Sequence, residues 1–362
     1  MLAASSPSPS INPALALSDA ELLRQLDLHL FTLDPLRYAR TIFAHHFAIT
    51  TPARWHVEAL RLMCRVGEST IPGTLTPPLL PATSSLPPPE ISAPENLASV
   101  SDTRSPRQAA PTPLQLRSPL RLAFHAPRGH AKSTLASFLL PMWSILAQRK
   151  HFILLVSNTH AQAVKFLQGI KYEWETNRAL RALLKDMEPH KDKWSDSEIE
   201  LKRNGKLDVK LLALGSGHQL RGLRFLQWRP DLCIIDDGED DEMVRSDLRR
   251  ATYQEWFDHV VLNIDPQCDV IHLGTIIHEQ SLLNRLVRQH DEADQHRYRP
   301  FIRRIFPAMD ASGVSTWPER ESTENLQEQR ERNPYSFSQE KQGEPVDPSY
   351  CPFKTEFFTE SR

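Results

Sequence analysis

Residues 124–135 have the sequence F-H-A-P-R-G-H-A-K-S-T-L, and this stretch decides the fold class. It follows a short apolar stretch, RLAFHA (121–126), which predicts a strand, and precedes STLASFLLPMWSILAQR (133–149), which predicts a helix. It nearly matches G-x-x-x-x-G-K-[ST], a phosphate-binding loop, with Ala126 and Ala131 in place of the two glycines. A strand, a turn and a helix N-terminus in this order present backbone N–H groups and the helix dipole to an anion.

The two alanines weaken the match without excluding it. At negative φ an alanine is tolerated, whereas at positive φ it costs about 1–2 kcal/mol. We expect both to be tolerated. In such a loop Lys132 reaches the β- and γ-phosphates, and the Ser133 hydroxyl binds Mg²⁺. The alternative interpretation is a chance Lys-Ser pair at the start of a helix.

A second motif, LCIIDDGEDDE (232–242), places two acids directly after four apolar residues. In P-loop ATPases an acid at a strand end holds Mg²⁺ and the next acid polarises the attacking water. Asp236 and Asp237 fit these roles, and Glu239 is the competing candidate for the second. An acidic loop that caps the next helix is the alternative, and it explains residues 240–242 well. The loop and the acids together predict an ATPase.

A third stretch, IHLGTIIHEQSLL (271–283), contains a strand that ends in Gly274-Thr275. A hydroxyl at this position is suited to sense the loss of a phosphate. Taken alone the observation is weak, because Gly-Thr after a strand is also ordinary turn chemistry.

The rest of the chain alternates predicted strands and helices, which is typical of a parallel sheet covered on both faces. Ser18 and Glu21 form a capping box before an apolar periodic run, and Asn204-Gly205 predicts a hairpin turn. The other predicted helices are 51–65, 159–184 and the stretch EQSLLNRLVRQH, with a kink at Pro141; the other predicted strands are 151–157, 230–237 and 268–275.

Composition divides the chain. Residues 72–119 hold 12 of the 29 prolines and cannot bury enough apolar surface to fold alone. The predicted segments are a disordered tail at 1–17, an N-terminal helical segment at 18–70, a Pro-rich disordered insert at 71–119, a P-loop ATPase core at 120–304 and a lid or linker at 305–362.

Charge and cysteine content exclude some classes of protein. The 362 residues carry a net charge of −2, so any nucleic-acid contact must come from a local basic patch or from neighbouring subunits. The four cysteines lie far apart, which argues against a zinc site or disulfide framework and suits a reducing cytoplasm. We find no signal peptide and no apolar stretch that could span a membrane. The basic candidates are Arg285, Arg288, Arg297, Arg299, Arg303 and Arg304, although a solvated helix face with interspersed acids explains them equally well.

These motifs, in this order, resemble the ATPase domain of phage terminase large subunits, the motors that package viral DNA. The resemblance covers about residues 40–70 and 120–360. It implies an α/β fold of the RecA-like (ASCE) P-loop NTPase class, with a mainly parallel sheet, an N-terminal helical appendage and a small C-terminal lid. The stretches that carry it are APRGHAKST, VSNTHAQAVKFLQGIKYEWETN, GSGHQLRGLR, RPDLCIIDDGEDDEMV, GTIIHEQSLLNRL and NPYSFSQEKQGEPVDPSYCPFKTEFF.

The resemblance implies a role for each matching residue. Asp236 and Ser133 hold Mg²⁺, Asp237 occupies the position of the catalytic acid, and Thr275 couples hydrolysis to movement. The nucleotide-binding set implied by the match is Pro127, Arg128, Gly129, His130, Ala131, Lys132, Ser133, Thr134 and His56.

Two arginines and a tryptophan complete the implied site. Arg128 lies over the phosphates from the same subunit. Arg221 is the candidate arginine finger for a neighbouring subunit, with a surface arginine in a Gly-rich loop as the alternative. Trp55-His56 occupies the place where such proteins face adenine, and a core position is the alternative for Trp55.

The resemblance implies an ATP- and Mg²⁺-dependent motor that translocates double-stranded DNA into a procapsid. Its expected partners are a homo-oligomeric ring, a portal protein and a small terminase subunit in the bacterial host cytoplasm, with no membrane. The sequence ends at Arg362, where the family's nuclease domain would begin, so we expect no nuclease activity from this chain, and a separate nuclease-bearing chain is a candidate partner. The alternatives are a truncated or inactive prophage remnant, or another P-loop enzyme such as a helicase-like DNA-dependent ATPase or a small-molecule kinase.

Overall fold

The structure is a computed structural model, and it describes residues 18–47, 51–67, 118–289 and 291–345. Residues 1–67 and 119–362 form one compact unit, to which the following description applies. The predicted tail at 1–17, nearly all of the predicted insert at 71–119 and the end of the predicted linker, 346–362, lie outside the described residues.

A single sheet forms the centre of this unit. In the described residues it has eight strands: β1 (Arg121–His125), β2 (Phe152–Ser157), β3 (Met187–Trp194), β4 (Glu198–Arg203), β5 (Lys206–Gly215), β6 (Leu232–Asp236), β7 (Asp269–Gly274) and β8 (Ile302–Ile305). Their order is β3-β4-β5-β2-β6-β7-β1-β8. The strands from β5 to β8 in this order pair in parallel, and β3 and β4 extend the sheet antiparallel.

The strand order places β7 between β1, which leads into the predicted phosphate loop, and β6, which ends in the first acid. His125 is in register with Gly274, and Asp236 is in register with Leu273. Because the strands are parallel, the phosphate loop, the acid pair and Gly274-Thr275 all follow strand ends at one edge of the sheet. This sheet of mainly parallel strands with flanking helices confirms the predicted α/β fold with a mainly parallel sheet.

Helices cover both faces of the sheet. Their bounds are α1 (Asp19–Leu33), α2 (Pro35–Ile42), α3 (Arg54–Met63), α4 (Leu140–Leu146), α5 (His160–Thr176), α6 (Arg178–Leu183), α7 (Asp241–Arg245), α8 (Asp247–Trp256), α9 (Leu282–Arg288), α10 (Glu292–Arg297), α11 (Thr323–Arg332) and α12 (Pro334–Phe337). The central strands β2, β6 and β7 are buried along their whole length, as expected for parallel strands between two helical layers. No helix in the described ranges is long and apolar enough to cross a membrane.

Local sequence rules account for several elements. The Ser18 side chain accepts a hydrogen bond from the N–H of Glu21 at the start of α1, which is one half of the predicted capping box. The carboxylate of Glu21 pairs with Arg24 and Lys185. Asn204 and Gly205 both have positive φ, 50° and 76°, and form the predicted turn between β4 and β5.

The predicted helix at 133–149 changes its hydrogen bonding part-way. Residues Thr134–Leu139 have the wider π-helical pattern, and α4 follows with Pro141 in its first turn. Proline has no N–H to donate within a helix, and the change from π- to α-helical bonding falls at this position.

The predicted single helix at 159–184 is two helices, so this prediction was wrong. The chain is extended at Asn177 (φ −78°, ψ 100°), whose side chain accepts from the N–H of Leu180 and caps α6. An asparagine favours such a cap over a helix interior because its side chain competes for backbone N–H groups.

Candidate active site at the carboxyl edge of the sheet

The predicted phosphate loop connects β1 to the helix that contains the π-helical segment Thr134–Leu139. Gly129 has φ 80° and Ala131 has φ 61°, whereas Ala126 is not among the residues with positive φ. The expectation that both alanines are tolerated therefore holds for Ala126 and is wrong for Ala131. A left-handed alanine costs about 1–2 kcal/mol, because its Cβ approaches the following carbonyl.

Lys132 lies at the centre of the site and is 5% exposed. Its Nζ is 3.2 Å from Oδ2 of Asp237 and 3.3 Å from Oγ1 of Thr275. Three residues predicted from separate motifs thus meet at one point. The ammonium group is held by an acid and a hydroxyl that follow two different strands.

The acid at this point has an unusual backbone conformation. Asp237 has φ 48°, in the left-handed region, and its side chain is 46% exposed. Its Oδ1 accepts a hydrogen bond of 3.1 Å from the N–H of Thr275, and its own N–H donates to the carbonyl of Leu273. The turn after β6 is therefore fastened to the end of β7, with one carboxylate oxygen facing Lys132.

The preceding acid is fully buried. Oδ2 of Asp236 accepts a hydrogen bond of 2.6 Å from Ser137, and Oδ1 has no hydrogen-bond partner among the described residues. Burial, and secondarily the charge of Asp237, raises the pKa of Asp236 to about 6, while Lys132 and the hydroxyls of Ser137 and Ser133 oppose this shift. An unpartnered buried carboxylate oxygen next to a serine hydroxyl is a donor set that suits Mg²⁺.

Glu239 has a different structural role from the two aspartates. Its Oε1 and Oε2 accept hydrogen bonds from the N–H groups of Leu282 and Leu283, at 2.9 and 3.1 Å, in the first turn of α9. Burial raises the pKa of Glu239 to about 7, and the two backbone N–H groups oppose that shift. Both oxygens are thus engaged by a helix N-terminus, where a negative charge is favourable.

A cavity of about 290 Å³ opens beside this cluster. Its lining residues are Arg128, Ser157, Asn158, Thr159, Gln162, Asp237, Glu239, Asp240, Asp241, Thr275 and Ile277. The lining is mostly polar, and it combines one arginine from the phosphate loop with the acids that follow β6. Larger cavities lie elsewhere on the protein, but they do not contain the lysine, acid and threonine cluster.

The C-terminal region packs on the phosphate loop. Nη1 of Arg128 lies 2.8 Å from Oε1 of Glu340, and the N–H of Arg128 donates to the carbonyl of Glu340 at 3.0 Å. Lys341 donates to the carbonyl of Arg128 and pairs with Glu321 at 2.8 Å. The side chain predicted to lie over the phosphates is therefore 59% exposed and bound to residues 338–342, which form a π-helical turn.

His56 lies under the loop and is 3% exposed. Its Nδ1 accepts from the N–H of Ala53, so the proton is on Nε2, which donates to the carbonyl of His130 at 2.9 Å. Burial lowers the pKa of His56 to about 4. Trp55 is also buried, and stacks on Phe306. A contact of His56 with adenine stays a prediction; the structure shows both ring nitrogens bound to backbone.

The predicted arginine finger is not part of this cluster. Arg221 is exposed in the loop between β5 and β6 and does not line the cavity. Among the candidate DNA-binding arginines, Arg285, Arg297 and Arg304 form ion pairs with Asp294, Asp258 and Glu58, and Arg288 donates to the carbonyl of Gly343. These contacts favour the alternative of a solvated, paired surface for those four residues.

Sequence reasoning missed two residues that shape the site, Ser137 and Glu340. Ser137 lies one helical turn after Ser133, so both hydroxyls are on the side that faces β6, and this spacing was a usable signal. Glu340 has no local signal, because its contact with Arg128 spans 212 residues of sequence.

No family model matches the chain, and the search of the curated proteins found no match. Solved structures of phage large terminases resemble it. The large terminase ATPase domain of Thermus phage P74-26 is 16% identical with a TM-score of 0.43, over 62% of this chain and 88% of that domain. The large terminase of bacteriophage HK97 is 14% identical with a TM-score of 0.40, over 63% of this chain and 49% of that one. This chain thus spans about half the length of the HK97 protein.

Proposed function

We propose that this chain is the ATP-hydrolysing motor of a phage terminase large subunit and moves double-stranded DNA into a procapsid. The observation that carries the proposal is the meeting of Lys132, Asp237 and Thr275 within 3.3 Å at the carboxyl edge of the sheet. The phosphate-loop, strand-end acid and Gly-Thr stretches that supply these residues also carry the sequence resemblance to terminase ATPase domains.

Lys132 has a partner that a phosphate can replace. Its ammonium group pairs with Asp237 and bonds to Thr275. When the β- and γ-phosphates of ATP enter the loop, they pair with this ammonium group, because the lysine of a phosphate loop binds these two phosphates. Asp237 is then free to accept a hydrogen bond from the attacking water and to orient it.

Ser133 and Asp236 are the residues that would hold Mg²⁺. The ion, when bound, neutralises charge that develops on the phosphate oxygens. Ser137 holds one oxygen of Asp236 at 2.6 Å and thereby orients the other. Such support from a neighbouring hydroxyl fixes the direction of the ligand.

Arg128 and Arg221 have separate proposed roles. Arg128 lines the cavity and leaves Glu340 to contact the phosphates. Arg221, exposed on its loop, is available to a neighbouring subunit of a ring as an arginine finger. The ring, the portal protein, the small terminase subunit and a nuclease on another chain or segment are the proposed partners in the host cytoplasm.

The test is ATP hydrolysis by the purified chain with Mg²⁺, with and without linear double-stranded DNA. Lys132→Ala and Asp237→Asn are expected to reduce turnover at least about 100-fold. Lys165→Ala and Asp192→Asn are matched controls on exposed positions and are expected to leave turnover unchanged. Turnover retained by both site variants would overturn the assignment of the site.

The effect of DNA on ATP hydrolysis distinguishes a packaging motor from other P-loop enzymes. We expect linear duplex DNA to stimulate turnover without sequence preference, and the stimulation to fall steeply with salt, because the contacts are with phosphates. Phosphorylation of a small metabolite with no response to DNA would support a kinase instead.

A further inference from the structure

Two histidines and a glutamate converge between the N-terminal helices and α5. His45 and His46 are in the 3₁₀ turn Ala44–Phe47, and Glu173 is in α5. Nε2 of His45 lies 2.6 Å from Oε1 of Glu173, and Nε2 of His46 lies 3.2 Å from the same oxygen. In the described ranges, this is the one group of three His, Cys, Asp or Glu side chains whose potential ligand atoms all lie within 4.8 Å of one another.

The surrounding contacts orient all three side chains. Nδ2 of Asn177 donates to Oε2 of Glu173 at 2.9 Å and also to the carbonyl of Ile42 at 2.7 Å. The two imidazole rings pack with centroids 4.4 Å apart, and the ring of His46 lies 5.0 Å from that of Phe138. Contacts of this kind hold a carboxylate and an imidazole ring in a fixed orientation, as the contacts around the ligands of a metal ion do.

The burial of the three groups differs in a way that favours a cation. The side chain of Glu173 is 4% exposed, whereas those of His45 and His46 are 54% and 33% exposed. In the described part of the chain, the ion pairs of Glu173 are with these two histidines and include no lysine or arginine. A buried carboxylate needs compensating charge, and the exposed imidazoles leave a route for an ion from solvent.

The donor set identifies the class of ion. Two imidazole nitrogens and one carboxylate oxygen suit Zn²⁺, which accepts this set and completes its tetrahedron with water. Mg²⁺ and Ca²⁺ prefer oxygen ligands, so they fit this site poorly. Zinc bonds of about 2.1 Å separate ligand atoms by about 3.4 Å, so small movements of the exposed rings suffice.

We propose that His45, His46 and Glu173 form a Zn²⁺ site that fastens the N-terminal helical segment to α5. The site joins the turn after α2 to a helix that begins at the carboxyl end of β2. It is separate from the proposed nucleotide site, since none of the three side chains lines that cavity.

The test is calorimetric titration of the chelator-treated full chain with ZnCl₂, without nucleotide. We expect one saturable site that a large excess of Mg²⁺ does not displace. His45→Ala and His46→Ala are each expected to weaken it at least about 10-fold, since loss of even an outer partner of a metal ligand costs about 10–100-fold. Visible absorption of bound Co²⁺ gives a second readout that reports nitrogen coordination.

His29→Ala is the matched control, because His29 is an exposed histidine of α1 and should leave the affinity unchanged. The decisive variants change exposed rings, so their folding can be verified by circular dichroism before titration. Absence of saturable binding to the unmodified chain would overturn the proposal. So would an affinity of both histidine variants for Zn²⁺ that equals that of the unmodified chain. Since no nucleotide is present, neither result depends on ATPase activity.

Discussion

The Nζ atom of Lys132 lies 3.2 Å from Oδ2 of Asp237, so the lysine of the predicted phosphate loop is paired with an acid that follows another strand. Lys132 follows β1 and Asp237 follows β6, and β7 lies between these strands. The pairing keeps a lysine that is 5% exposed from being an isolated buried charge.

The two candidates for the catalytic acid are separable by mutation. We expect Asp237→Asn to lower turnover at least about 100-fold, because Asp237 lines the cavity and pairs with Lys132. We expect Glu239→Gln to change turnover less than about 10-fold and to lower stability by about 1–3 kcal/mol, because one N–H of α9 loses its acceptor. Steady-state hydrolysis and urea unfolding provide the two measurements.

The opposite ranking of these variants would contradict our choice of acid. If Glu239→Gln abolished turnover while its stability was unchanged, Glu239 would be the acid that orients water, and its bonds to α9 would be secondary. Glu242→Gln is a suitable control, since its side chain is 84% exposed.

The left-handed alanine of the phosphate loop predicts a stabilising substitution. Ala131→Gly is expected to raise the free energy of unfolding by about 0.5–1 kcal/mol, because relief of strain exceeds the extra chain entropy of glycine. Ala126→Gly, at a buried position without positive φ, is expected to lower it by a similar amount. Chemical denaturation of both variants measures the change in the free energy of unfolding. A decrease in both would show that backbone strain at Ala131 does not lower stability.

The pair between Arg128 and Glu340 predicts an effect on nucleotide affinity. We expect Glu340→Gln to tighten binding of a fluorescent ATP analogue a few-fold. In the variant, Arg128 does not have to break an ion pair with a carboxylate before it contacts a phosphate. Stability should change by less than about 1 kcal/mol, since the pair is exposed to solvent. Glu328→Gln breaks an exposed pair with Arg332 in the same region and should leave affinity unchanged. Weaker binding by Glu340→Gln would show that the pair assists nucleotide binding.

Buried neutral histidines predict loss of stability in acid. Burial lowers the pKa of His272 to about 3 from an ordinary value of 6.5, and its Nε2 bonds to the hydroxyl of Tyr253. His272 therefore binds a proton below about pH 6.5 in the unfolded chain, but only below about pH 3 in the folded chain. The free energy of unfolding falls as the pH is lowered through that window. Between about pH 7.5 and 5.5 this group contributes about 1.4 kcal/mol of the loss.

His272→Gln removes that titration and keeps an acceptor for Tyr253. We expect the fall in the free energy of unfolding over this range to be smaller by about 1.4 kcal/mol in the variant. His160→Gln, at an exposed position, should leave the fall unchanged. An identical pH dependence in His272→Gln and the unmodified chain would show that the pKa of His272 in the folded protein is not lowered.

Local patterns in the sequence predicted much of the fold. The phosphate loop, the apolar run before Asp236 and the turn at Asn204-Gly205 each depend on residues within one strand, turn or helix. β3 escaped prediction because MEPHKDKW lacks an apolar face, as an edge strand can. The break at Asn177 escaped it because the apolar period continues on both sides.

The residue types of the site came from the sequence, and their arrangement came from folding. Lys132 and Thr275 are 143 residues apart, and they meet because β7 inserts beside β1. The same packing binds Glu239 to α9, aims one oxygen of Asp236 at Ser137 and places Glu340 on Arg128. The spacing of apolar residues and the residue types of turns act over a few residues, so they specify individual strands, turns and helices. Strand order, burial and contacts between distant side chains depend on how those elements pack, and no local pattern encodes them.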